Sequence, residues 1–243
     1  MNKKFIAIIQ TGTAIPTALE KYGDFDQWFI SGMATDKPQT RTYRVFENLV
    51  FPNIKEIAGI IITGSGSMVT DEEDWSEATI NWLKPIIDTN TPILGVCYGH
   101  QLLAKLLGGK VDWNPNGREI GQVNLCLTNE IHQDDLFKDL MDSDRAQLDF
   151  IATHQQSIVE LPNNATLLGS TNLDSHHCFR YKNHVWGLQF HPEFTSEIIK
   201  DYILARSNDL IKEGLNPEIF IASIKNTNNG NLLLQRFKTI CLS

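Results

Sequence analysis

The sequence predicts an α/β fold built on a doubly wound, mostly parallel sheet, with a small antiparallel patch and a C-terminal helical extension. Three observations carry that expectation. Short apolar runs over residues 5–9, 57–63, 92–96 and 185–190 end at glycine or turn residues. Two of them, through Ile60-Ile61-Ile62 and Ile93-Leu94-Gly95-Val96, are apolar on both faces, as parallel strands covered by helices on each side must be. Stretches of helical character fall between the runs, and such alternation puts a site at the carboxyl ends of the strands.

Each element follows from local chemistry. Phe5-Ile6-Ala7-Ile8-Ile9 is too short for the apolar core of a signal peptide and gives way at once to Gln10-Thr11-Gly12, so it reads as a first buried strand. Residues 74–89 carry Trp75, Ala78, Ile80, Trp82, Leu83, Ile86 and Ile87 at mixed helical spacing. Residues 100–107 form a shorter helix closed by Gly108-Gly109. From 121 to 181 short strands dominate, at 122–127, 148–153 and 165–170, and these make the antiparallel patch. After Phe194 the pattern turns helical. Residues 197–213 place Ile199, Tyr202, Ile203 and Leu210 on one face with Ser196 as cap, and Asn216-Pro217 opens a second helix. A break at 228–231 precedes a last helix carrying Leu232, Leu233, Leu234 and Phe237. Residues 1–195 are expected to form one domain and 196–243 a helical extension packed on it.

Composition narrows the function. The 243 residues include 21 Lys and Arg against 29 Asp and Glu, a net charge of −8, which argues against a nucleic-acid partner. No run approaches the roughly 20 apolar residues of a membrane span. Four separated cysteines, Cys97, Cys126, Cys178 and Cys241, form no Cys-x-x-Cys pair and suit a reducing compartment. A soluble cytoplasmic chain acting on a small molecule without a cofactor is the expectation.

The strongest chemical signal is Pro92-Ile93-Leu94-Gly95-Val96-Cys97-Tyr98-Gly99-His100-Gln101, a buried strand, a cysteine and an immediate helix. A strand that turns so sharply into a helix needs Gly95 and Gly99 to lack side chains, and the turn exposes the sulfur above the sheet. The positive end of the helix favours the thiolate. Free cysteines are more often buried and structural, but the two flanking glycines at a strand-to-helix junction favour a nucleophile. A second segment, Val185-Trp186-Gly187-Leu188-Gln189-Phe190-His191-Pro192-Glu193, delivers a histidine at a strand end. Glu193, two residues on in extended chain, is placed to hold one ring nitrogen while the other accepts the thiol proton. A third, Thr63-Gly64-Ser65-Gly66-Ser67-Met68, is a glycine-rich loop able to aim N–H groups at an anion. No phosphate-loop lysine follows, so an oxyanion is the better fit, with Tyr98 N–H as one donor and this loop as the other.

In this order the three segments resemble the class I, or triad, glutamine amidotransferase domain, and the match covers roughly residues 5–195. The loops Asn114-Pro115-Asn116-Gly117-Arg118-Glu119-Ile120-Gly121 and Ala152-Thr153-His154-Gln155-Gln156-Ser157 are similar to those of stand-alone GMP-synthase-like members. The resemblance implies a flavodoxin-like fold and a Cys97–His191–Glu193 triad. It implies Ser65 N–H as the second oxyanion donor, beside Gly66, although serine-glycine stands here where GMP synthases carry glycine-proline. It also implies that Gln101 contacts the glutamine substrate and that backbone around Gln155 and Gln156 receives its α-amino and carboxylate groups. No Ser-Gly-Gly-Val-Asp-Ser loop is present, so GMP synthesis is not expected of this chain alone.

The expected reaction is hydrolysis of glutamine to glutamate and ammonia, with an acceptor synthetase in trans as possible partner. A γ-glutamyl peptidase is the alternative, and a non-catalytic regulatory or binding protein comes third. His176-His177-Cys178 suggests a metal, but neighbouring strand positions face opposite ways, and no metal is expected.

Overall fold

The computed structural model describes residues 4–35, 39–140 and 147–243. Its strands and helices run β1 (Phe5–Gln10), α1 (Pro16–Tyr22), α2 (Phe25–Gly32), β2 (Thr40–Arg44), β3 (Ile57–Ile62), α3 (Asp74–Leu83), β4 (Ile93–Val96), α4 (Tyr98–Leu106), β5 (Lys110–Trp113) and β6 (Glu119–Leu127). There follow β7 (Gln147–His154), β8 (Gln156–Glu160), β9 (Ala165–Ser170), β10 (Cys178–Tyr181), β11 (Val185–Leu188), α5 (Ser196–Ala205), α6 (Ser207–Lys212), α7 (Pro217–Ser223) and α8 (Asn229–Leu242).

Nine strands form one sheet in the order β2-β1-β3-β4-β11-β10-β9-β6-β7. Side chains alternate across it, as the two-residue period of a strand requires. Ile6 and Ile8 join Ile61, Leu94, Val96, Trp186 and Leu188 on one face, covered by Phe29 of α2, by Met33 just after it, and by Leu233, Leu234 and Phe237 of α8. Phe5, Ala7 and Ile9 join Ile60, Ile62, Ile93 and Val185 on the other, beneath Trp75, Ile80 and Leu83 of α3 and Leu102 and Leu103 of α4. A third cluster, around α5, packs Phe25, Trp28, Phe194, Ile198 and Tyr202 over the carboxyl edge of the sheet.

The structure corrects the expected sheet. β2, β1, β3, β4 and β11 are parallel, but β11–β10, β10–β9, β9–β6 and β6–β7 are all antiparallel. The sheet is therefore mixed, and the antiparallel strands are half of it rather than a small patch. The cause lies in the connections. Parallel pairing needs a long crossover, whereas β10 returns to β11 through a tight turn with Lys182 left-handed at φ 52°. β5 and β8 pair separately, as a two-stranded ribbon.

Four features of the helices also differ. α3 stops at Leu83 because Pro85 has no N–H to offer the carbonyl one turn back. The stretch 197–213 is two helices that meet at Arg206, where Ser207 Oγ turns back onto the Ile203 and Leu204 carbonyls at 3.1 and 2.8 Å. The cap of α5 is Thr195, whose hydroxyl accepts from Ile198 N–H, and not Ser196. α8 begins at Asn229, inside the expected break.

Candidate active site

β3, β4, β7 and β11 end close together, and their carboxyl ends build one cleft. Cys97 follows β4 directly, with φ 51° and ψ −101°, a strained conformation that a non-glycine residue keeps only where its surroundings enforce it. Those surroundings are Gly95 and Gly99. A Cβ on Gly95 would lie 2.4 Å from the Gly99 carbonyl oxygen, so strand and helix approach as only glycine permits. Cys97 is 8% exposed, and its thiol donates to the Thr153 carbonyl at 3.8 Å.

The Tyr98 N–H opens α4, and at the first helical position it has no carbonyl one turn behind it. The Tyr98 side chain turns away, its hydroxyl 2.8 Å from Ser76 Oγ beneath the helix. Ser65 and Gly66 line the cleft beside Cys97 and Tyr98. Their loop is braced by residues singled out by no motif. Thr11 Oγ1 donates to the carbonyls of Thr63 and Gly64, at 2.9 and 3.0 Å, and a Cβ on Gly12 would meet Ser65 Oγ at 2.7 Å. The only sequence signal for that brace is the position of Thr11-Gly12 at the end of β1.

His191 and Glu193 stand across the cleft. His191 Nδ1 and Glu193 Oε1 are 2.7 Å apart, both side chains buried. The contact is made across a turn, closed by Phe194 N–H on the His191 carbonyl at 3.4 Å, and not along extended chain as the sequence suggested. Proline at the second position of a turn explains the difference. Gly64 sits between histidine and cysteine: a Cβ there would be 3.0 Å from His191 Cε1 and 3.7 Å from Cys97 Cβ. His191 Nε2 is buried without a hydrogen-bond partner among the described residues. Burial works against the imidazolium, but its interactions with Glu193 and Cys97 outweigh it and push the histidine up to about 10. The ring stacks on Phe194, centroids 4.1 Å apart, and Gly230 presses on the turn from behind. A Cβ on Gly230 would lie 2.2 Å from the Pro192 carbonyl oxygen.

Cys97 divides the cleft into two halves. One, of about 470 Å³, is lined by Gln101, Gln155, Gln156 and Arg118. The other, of about 350 Å³, is lined by His191, Phe194, Tyr202, Ile15 and Phe25. Gln101 spends its amide hydrogens on the Gln156 carbonyl (2.7 Å) and on Gln189 Oε1 (2.9 Å), which fixes the β8 segment against α4. Gln156 Nε2 reaches Thr70 Oγ1 at 2.6 Å, and the Gln155 carbonyl accepts from Asn114 N–H at 2.8 Å. Arg206, which no sequence argument selected, lines both halves.

Beneath the Gln155 loop lies a buried polar cluster. Glu119 Oε2 accepts from Nε2 of both His154 (2.9 Å) and His177 (3.0 Å), and His154 Nδ1 meets the Gln156 carbonyl at 2.9 Å. Burial raises the Glu119 carboxyl, but the hydrogen bonds from the two histidines overcome it and hold the group well below the usual carboxylate range. The ligand atoms of Glu119, His154 and His177 lie within 4.8 Å of one another, close enough to hold an ion. The two imidazole nitrogens already share one carboxylate oxygen, so an ion there displaces two hydrogen bonds. His176 takes no part in that cluster. Its Nδ1 turns to the Ile158 carbonyl at 2.7 Å, so the adjacent histidines diverge.

A family model described as glutamine amidotransferase class-I matches residues 30–209. Gamma-glutamyl peptidase 4 of Arabidopsis thaliana is 29% identical over 206 residues, spanning 83% of this chain and 80% of that protein. A glutamine-hydrolyzing GMP synthase of Bacillus licheniformis is 32% identical over 155 residues, 60% of this chain but only 27% of the synthase. A glutamine amidotransferase crystal structure from Thermotoga maritima superposes with a TM-score of 0.75 at 18% identity, covering 98% of this chain and 99% of that one. Among the described residues, no helix is long and apolar enough to cross a membrane.

Proposed function

The chain belongs to the class I glutamine amidotransferase family, and from that premise we propose that it hydrolyses γ-glutamyl amide bonds through a thioester on Cys97. One observation carries the reading. The imidazole held at Nδ1 by Glu193 keeps Nε2 without a hydrogen-bond partner among the described residues, in a cleft that the strained Cys97 also lines. A carboxylate, an oriented imidazole and a thiol at a helix start are the parts that activation of a cysteine requires.

Cys97 thiolate attacks the γ-carbonyl. The oxyanion is held by Tyr98 N–H and an N–H of the Ser65-Gly66 loop, each worth on the order of 3 kcal/mol. His191 gives its Nε2 proton to the departing amine as the C–N bond breaks, leaving the thioester. It then takes a proton from water, whose oxygen attacks the thioester and frees glutamate and the thiol. Glu193 stabilises the imidazolium in both halves of the cycle. The glutamyl end lies against Gln101, Gln155 and Gln156.

Glutamine is the substrate the sequence puts first, with ammonia passing to an acceptor synthetase in trans. The likeness to a γ-glutamyl peptidase, which spans most of both chains, supports a second reading in which a peptide amine departs. Release of ammonia from L-glutamine, measured beside release of glutamate from γ-glutamyl dipeptides with Cys97→Ala as control, decides between them. Turnover of neither, together with no labelling of Cys97 by an electrophilic glutamine analogue, overturns the hydrolase reading.

A further inference from the structure

Arg206 is the one charged side chain that lines both halves of the cleft and makes no hydrogen bond or ion pair with any described residue. Its Nη1 is buried and unpartnered. The other guanidinium at the cleft, Arg118, is already neutralised, with Nε and Nη2 on the two Glu213 carboxylate oxygens at 2.9 and 2.8 Å. Arg206 is held in place by stacking. Its Cζ lies 4.9 Å from the Tyr202 ring centroid, Tyr202 lies 5.0 Å from Phe194, and Phe194 lies 4.1 Å from the His191 ring. One row of flat groups therefore runs from the imidazole to an unpaired cation. Burial works against that cation, so the position is suited to an anion that arrives with a ligand.

The side of the cleft identifies the ligand. A histidine that protonates the departing amine must face that amine, so the leaving group occupies the half lined by His191, Phe194, Tyr202, Ile15 and Phe25. An apolar wall that ends in a fork of N–H donors is complementary to an amino acid, with its side chain on the aromatic rings and its carboxylate on the guanidinium. Ammonia makes use of neither. We propose that Arg206 binds the α-carboxylate of the departing amino acid, and that the substrates are γ-glutamyl amino acids with that carboxylate free. This rests on the reading of Cys97 as the attacking group, and it makes Arg206 a specificity-determining residue for the leaving group.

The test compares γ-glutamyl-alanine with its C-terminal amide. In the wild-type protein kcat/KM favours the free acid, and in Arg206→Gln the ratio of the two falls by roughly ten- to a hundredfold, the worth of a charged hydrogen bond. Arg206→Lys, which keeps the charge but not the fork, gives an intermediate ratio. A wild-type ratio near one, or a ratio that Arg206→Gln leaves unmoved while both rates fall together, overturns the proposal. The second result would assign Arg206 to the glutamyl half or to the thiolate instead. The same comparison made by equilibrium binding to Cys97→Ala, with and without Arg206→Gln, keeps the test separate from the chemistry. A carboxylate preference that is lost with Arg206 supports the subsite even where turnover fails. Absence of that preference overturns the subsite even where Cys97 proves to be the nucleophile.

Discussion

Gly99 stands against the end of β3: a Cβ on it would lie 2.4 Å from the Ile62 carbonyl oxygen. The contact is with backbone on both sides, so no rotamer change relieves it. Gly99→Ala is expected to cost about 3 kcal/mol of stability, read as a lower urea midpoint with unchanged slope. Because α4 must shift to accept the methyl group, the Tyr98 N–H moves with it. Turnover per folded molecule is expected to fall as well.

Glu193→Gln keeps the shape of the turn and removes the charge. With the carboxylate gone, burial dominates at His191 and the imidazolium is lost at lower pH. The expectation is a fall of about a hundredfold or more in kcat, together with slower alkylation of Cys97 by iodoacetamide at neutral pH. Burial of the ring is unchanged, so melting temperature is expected to move far less than rate.

Glu119→Gln tests the polar cluster beneath the Gln155 loop. The loss of a carboxylate that accepts from both His154 and His177 is expected to cost about 2 kcal/mol at pH 7. Because the folded protein holds this carboxyl below its ordinary value of 4.5, its contribution is fully present above that pH. It is lost as pH falls through the depressed folded value. The stability gap between wild type and variant, followed by denaturant titration, is therefore expected to close on acidification and not on raising pH.

Phe237→Ala tests α8. The ring is fully buried, edge-on to Trp186 at 6.3 Å, on the face of the sheet shared with β1 and β3. A loss of about 3–5 kcal/mol is expected for so large a cavity, measured by thermal or urea unfolding.

The parts of the site that were legible in the sequence are those whose geometry is local. Gly95, Cys97 and Gly99 declare a sharp turn by themselves, and His191, Pro192 and Glu193 lie within one turn of chain. The alternation of apolar runs and helices likewise gave β1, β3, β4 and β11, which are buried on both faces, but not the edge strand β2, where only Thr40 is buried. What could not be read is what distant segments bring. Arg206 stands where α5 gives way to α6, a break that its local sequence does not announce, and lies over the Tyr202 ring beside the cleft. Glu119 matters because β6 pairs with β7 and sets Glu119 opposite His154, a register that no local pattern states. Three of the short strands between 121 and 181 were legible individually, but β8 and β10 were not, and the merger with β11 depends on β10 and its hairpin through Lys182.

The contact of Gly230 with the Pro192 carbonyl sets an order of events during synthesis. β4 and α4 are translated early, and with them the cysteine turn. The histidine turn follows, but the residue that backs it belongs to the start of α8 and leaves the ribosome later still. A nascent chain thus carries its thiol before the turn opposite has its backing from the start of α8. The backing of the His191–Glu193 turn is in this way tied to the docking of α8, the last helix of the chain to be made.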